Sequence, residues 1–176
     1  MGADLYIRSL SDAADAAYRP MFEAAVSMRD IAAENAKNAD TPESKDAYER
    51  LQKLLQEQVT KAYDAMFEHD GYFRDSYNST GVLQYMGLSW WADVVPLCED
   101  GILPILKARV LRQMIMGTSL QVPSKQELIA RRASIDDADP ENDYNSWVKY
   151  FTEKREKLIA FLDRAIQRNE SIDASL

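Results

Sequence analysis

The stretch from His69 to Asp100, HDGYFRDSYNSTGVLQYMGLSWWADVVPLCED, gathers most of the side chains in this chain that are able to do specific chemistry. It holds Tyr72, Phe73, Tyr77, Tyr85, Trp90 and Trp91, with Arg74, Asp75, Asn78, Ser89 and Asp93 set among them. His69 and Cys98, also within it, are the one histidine and the one cysteine of the chain. Tyrosine and tryptophan offer flat stacking faces, an arginine fork binds anions, and carboxylates and amides orient a ligand by hydrogen bonds. Such a set suits a nucleotide, another planar or anionic ligand, or a partner peptide. The same residues also read as a plug of aromatics closing the end of a helical bundle, with Arg74 and Asp75 paired to neighbours and Asn78 capping a turn.

Several catalytic chemistries lack their residues. One histidine and one cysteine are too few for an ordinary zinc site. No Glu-x-x-His pair supports a di-iron bundle, and no glycine-rich phosphate loop occurs among six glycines. Gly87-Leu88-Ser89-Trp90-Trp91 begins like a nucleophile elbow but carries Trp91 where the second glycine belongs, so Ser89 reads as a helix cap. Asp137, Asp139 and Glu141 start like a calcium loop, yet Asn142 takes the glycine position and Val148 that of the bidentate glutamate. These acids read as a solvated helix start. His69 stands near Asp70 and Asp75 as a general base, or equally as a cap or surface residue at a helix end. No metal, cofactor or catalytic residue is assigned.

The net charge of −8 argues against broad binding to nucleic acid or an anionic membrane. From Gly101 to Ala133, however, Lys107, Arg109, Arg112, Lys125, Arg131 and Arg132 face one acid, Glu127. Nucleic-acid phosphate is one reading of that segment; neutralisation of acidic helices beside it is the favoured one. No apolar run approaches the ~20 residues that span a bilayer. The start MGADLYIRSL lacks the features of a secretion signal, and Tyr6 spoils a myristoylation motif at Gly2. With a single cysteine, the expectation is a cytoplasmic protein.

The elements around the central stretch read as amphipathic helices. Residues 3–8 are a short strand candidate that the terminal SIDASL could pair with. Ser11 and Asp12 cap an alanine-rich helix, which Pro20 restarts or kinks, with Tyr18, Phe22, Ala25, Met28 and Ala32 as its buried stripe. Thr41-Pro42 begins a second helix whose inner face is Tyr48, Leu51, Leu55, Val59, Ala62 and Met66, forming a hairpin with the first. Asp70-Gly71 ends it, and residues 72–79 read as irregular. One short helix covers Val82 to Met86, capped from Asn78, Ser79 or Thr80 and closed by Gly87. Ser89 caps another through Val95. Ile102 to Met116 is apolar on most sides and reads as the central core helix, with Arg109, Arg112 and Gln113 on its polar face. Ser124 to Glu127 is a capping-box pattern for a short helix to about Ala133. A long helix to about Arg168 closes the chain, marked by Tyr144, Trp147, Phe151, Leu158, Phe161, Leu162 and Ala165.

Three pieces, MGADLYI, GYFRDSYNSTGVLQYMGLSWW and YFTEKREKLIAFLDRAI, resemble a set of uncharacterised bacterial proteins of similar length. The resemblance spans nearly the whole chain and implies a bacterial or phage-borne cytoplasmic protein; it carries no activity, cofactor or catalytic residue.

The resulting expectation is an all-α, single-domain bundle of five or six helices over residues 1–176, with at most a minor two-stranded pairing of the termini. Its function reads as non-enzymatic binding of a protein partner through an aromatic surface at residues 72–93. Tyr72, Arg74, Asp75, Tyr77, Asn78, Trp90, Trp91 and Asp93 are the binding candidates. The alternative is a protein or enzyme that holds a small planar or phosphate-bearing ligand in the same region. There Arg74 takes the anion, Trp90 or Trp91 stacks, and Asp75 or Asp93 serves with His69. The amphipathic helices allow a homo-oligomer without requiring one.

Overall fold

The computed structural model describes residues 2–76, 81–121, 124, 126–127 and 140–176. Helices dominate, as expected, but they are joined by a four-stranded antiparallel sheet. Strand β1 is Gly2–Ile7, β2 Tyr72–Ser76, β3 Ile102–Leu103 and β4 Ile172–Ser175, in the spatial order β2-β1-β4-β3. The long helices are α1 Arg8–Lys37, α2 Pro42–Phe67, α3 Ile105–Gly117 and α4 Pro140–Arg168. No helix among the described residues is long and apolar enough to cross a membrane. The described chain forms two compact units: Arg8–Tyr72, and β1 together with the residues from Phe73 onward.

The first unit is the α1–α2 hairpin. Thr41 is extended and accepts a hydrogen bond from the Ser44 N–H at 3.1 Å, while the Ser44 hydroxyl faces the Thr41 N–H, a reciprocal cap with Pro42 at the first helical position. Helix α1 runs through Pro20 as one element, starting at Arg8 rather than at Ser11. Pro20 and Ala16 are both exposed, so the carbonyl left without a donor faces water, and alanines on either side favour the helix. Ser11 is not a cap; its hydroxyl lies 3.4 Å from the Gly71 carbonyl. The seam is built of small residues, with Ala25, Ala32, Ala36, Val59, Ala62 and Met66 buried. Tyr18, Met28 and Leu51, expected inside, are exposed, because the seam is narrow enough for alanines to fill.

The second unit is the sheet with α3 and α4. Ala3, Leu5 and Ile7 alternate as fully buried residues along β1, and β1 pairs antiparallel with β4 from Asp4–Ser175 to Ile7–Ile172. The termini therefore pair as the sequence suggests, but inside a larger sheet. The segment from residue 72, expected to be irregular, supplies β2, whose Phe73 ring lies 6.2 Å from Phe161 of α4. Ile102 and Leu103 are not helical. Asp100 and Gly101 both take positive φ, 50° and 77°, in a tight turn that folds Glu99 onto Ile102 and delivers β3 to β4. Helix α3 is not a central helix: only Ala108, Leu111 and Ile115 are buried, while Leu106, Val110 and Met116 are exposed. One side alone meets α4, where Arg112 forms a two-point ion pair with Asp163 and the Arg155 Nη2 donates to the Ile115 and Thr118 carbonyls at 3.0 and 3.1 Å. Phe151, Leu158, Phe161, Leu162 and Ala165 form the buried stripe of α4. The Ser124–Glu127 box is present, with reciprocal bonds at 2.7 and 3.3 Å.

Candidate functional site

The turn that carries the two tryptophans is fixed from both ends. Gly87, at φ 72°, closes the 3-10 turn Gln84–Met86 in a left-handed conformation that a β-carbon would strain. Ser89 is extended, and its hydroxyl accepts from the Ala92 N–H at 3.3 Å. The Asp93 carboxylate reaches back to accept from the Ser89 N–H at 2.7 Å. This reciprocal cap holds a wide π-helical turn, Trp90–Val94, that sends neighbouring side chains in different directions. Trp90 is 3% exposed and Trp91 is 57% exposed.

Trp90 is locked by a carboxylate. Asp75 on β2 is buried, and its Oδ2 accepts the Trp90 indole N–H at 2.8 Å. Its Oδ1 accepts the Val82 N–H at 3.1 Å and lies 3.3 Å from the Lys154 ammonium of α4. Gly81 is required at this approach, since a β-carbon there would stand 2.1 Å from the Ser76 carbonyl oxygen and 2.9 Å from Asp75 Oδ2. Asp75 thus spends its lone pairs on two donors and a cation, which makes it a tie between β2, the tryptophan turn and α4.

Lys154 also donates to the Tyr150 hydroxyl at 3.0 Å and lies 5.2 Å from that ring's centre. One helical turn earlier, Trp147 and Phe151 meet Tyr85 at 4.5 Å each. Lys154 and Tyr150, which nothing singled out beforehand, and Trp147, expected only as part of the closing helix's apolar stripe, join the aromatic segment. Their 3–4 spacing on α4 was the available signal, and it reads as an ordinary core stripe.

The remaining candidates are dispersed. Arg74 and Asp75 are successive residues of β2 and so fall on opposite faces: Arg74 is exposed and 3.5 Å from Asp4, while Asp75 is buried. They cannot clasp one ligand between them. Tyr72 belongs to the hairpin unit, where its ring meets Phe67 at 5.6 Å and His69 at 6.4 Å. Tyr77 and Asn78 lie outside the described residues. Asp93 is occupied in the cap. His69 Nδ1 accepts from the Gly71 N–H at 3.0 Å, and burial lowers the imidazole pKa below its usual value. Cys98 sits against the Val94 carbonyl, and burial pushes its thiol up, away from the reactive thiolate. Among the described residues, no group of three His, Cys, Asp or Glu side chains is placed to hold a metal ion.

Comparison with family models, with curated proteins and with solved structures returns no match.

Proposed function

We propose that this is a non-enzymatic binding protein whose recognition surface is the aromatic turn within residues 72–93, with Trp91 as its anchor. The observation that carries the reading is the contrast between adjacent tryptophans: Trp90 is buried and hydrogen-bonded, and Trp91 stands exposed on the same braced turn. A rigid, large aromatic held by a fixed turn loses little entropy on binding, which is why tryptophan recurs among the residues that dominate interface energetics. The commitment of Asp75 and Asp93 to structural bonds favours recognition over acid–base chemistry. A cytoplasmic setting belongs to the same proposal.

The test compares the native chain with Trp91→Ala and with Tyr63→Ala, an exposed aromatic of the hairpin, in affinity capture from a bacterial lysate. The expected result is a captured protein that Trp91→Ala loses and Tyr63→Ala retains, with unchanged circular dichroism for both. Equal capture by all three chains would overturn the role of Trp91.

A further inference from the structure

The hairpin carries a second apolar row beside its seam. Ala17, Met21, Ala24, Met28 and Ile31 recur along α1 at alternating spacings of four and three. Each of the last four stands one residue before a seam-side position: Phe22, Ala25, Arg29 and Ala32. On α2, Leu51 and Leu54 stand one residue before Gln52 and Leu55 in the same way. In two right-handed helices packed antiparallel, rows with the same offset from the seam emerge on the same side. Met21, Met28, Ile31, Leu51 and Leu54 therefore share one face, and they are 59%, 54%, 58%, 42% and 59% exposed.

We propose that this face pairs with a second copy of the hairpin, giving a four-helix bundle in which each α1 rests on the α2 of the partner. The charges bordering the face select that occupant. The outer edge of α1 carries Glu23 and Glu34, and the outer edge of α2 carries Arg50 and Lys61, all exposed; Glu34 and Arg50 also pair with Lys37 and Asp46 of their own helices, exposed pairs that are easily exchanged. Within one hairpin, Phe22 stands level with Tyr63, at 6.1 Å, and Arg29 with Gln56, at 3.0 Å. A two-fold axis parallel to the helices repeats that levelling between copies. It brings Glu23 level with Lys61 of the partner subunit and Glu34 with the partner's Arg50. Ile31 comes level with the partner's Leu54, an apolar pair across the interface, while Met21, Met28 and Leu51 stand nearer the axis. Glu57, the one acid between Arg50 and Lys61, falls level with the uncharged Ser27. One edge of the hairpin is thus complementary to its other edge, as a closed two-fold interface requires.

The area agrees. Five large side chains about half exposed offer on the order of 500 Å² per copy, which across two copies approaches the ~1,000 Å² of a specific interface.

The test is sedimentation equilibrium of the full chain from about 1 to about 100 µM, a range that captures micromolar association. The native chain should be a dimer. Ile31→Glu together with Leu54→Glu should weaken it at least ~100-fold with helical content retained, since both positions are exposed in the single chain. Glu34→Arg alone should weaken it, and adding Arg50→Glu should restore it. A monomeric native chain, or a dimer indifferent to both sets of changes, would overturn the proposal.

Discussion

The hairpin Arg8–Tyr72 and the sheet unit are made by opposite strategies from one composition. In the hairpin, each residue packs against residues a short way along the chain or directly across one four-residue connection, and the buried seam is mostly alanine. In the sheet unit, the first strand pairs with the last, β3 has two residues and β4 four, and a buried aspartate ties three elements together. Local contacts cost little loop entropy and leave a periodic trace in the sequence. Long-range ones repay their entropy only through large buried groups and specific bonds. The lesson concerns where stability resides: the hairpin should depend on helix devices, and the sheet unit on a few buried side chains.

The sharpest way to break that contrast is Trp90→Ala. It removes a buried aromatic and leaves Asp75 without the donor to its Oδ2. The expected cost is about 4 kcal/mol, from the lost packing and cavity together with an unmet buried carboxylate. Denaturant unfolding followed by tryptophan fluorescence measures it in the right place, because Trp90, Trp91 and Trp147 all lie in the sheet unit. Trp91→Ala, its immediate neighbour, should stay within about 0.5 kcal/mol of the native chain in the same titration. Similar losses for both would mean that the turn does not separate the two indoles as described.

The same contrast explains what could be read beforehand. The hairpin was largely legible: Thr41-Pro42 and the two apolar stripes placed both helices, while the cap at Ser11, the break at Pro20 and the assignment of Tyr18, Met28 and Leu51 to the inside failed. A stripe marks a face, and with alanines in the seam the face is wider than what one partner helix covers. The termini were legible as strands, but the sheet was not. Strands β2 and β3 have five and two residues, too few for alternation to stand out. Ile102 and Leu103 also join an apolar run that continues into α3, so only the Asp100-Gly101 turn and Pro104 marked the break. Within the candidate site, the cap formed by Ser89 was legible from residue type. The clasp of Asp75 with Trp90, Val82 and Lys154 was not, since Lys154 stands 79 residues beyond Asp75, with β3 and α3 between them. The adjacency of Arg74 and Asp75 suggested a shared site, and strand alternation then set them on opposite faces.

A smaller effect tests the hairpin's side of the comparison. Thr41→Ala removes the acceptor for the Ser44 N–H and half of the reciprocal cap. The expected loss is about 1 kcal/mol, read from the helical circular dichroism during unfolding. If this change cost as much as Trp90→Ala, helix ends and buried ties would be equally important and the distinction between the two units would fail.

The smallest effect is a pH dependence at the end of α2. Burial lowers the pKa of His69, outweighing Asp70 and the Met66 backbone, which act in the opposite sense. The neutral ring is also the one that fits: Nδ1 accepts the Gly71 N–H, so the ring proton sits on Nε2, which has no acceptor among the described residues. A second proton would have to occupy Nδ1 and face the Gly71 donor. Because the folded chain binds that proton less readily than the unfolded one, the contribution of His69 is complete above the unfolded pKa of about 6.5 and is lost as pH falls through the lower folded value. Asparagine can present an oxygen near the Nδ1 position without titrating. The native chain should therefore lose stability relative to His69→Asn as pH falls from 8 to 5, in parallel denaturant titrations that cancel the carboxylates common to both. A constant difference between the two chains across that range would show that the His69 ring is hydrated and that the bond to Gly71 does not depend on its charge.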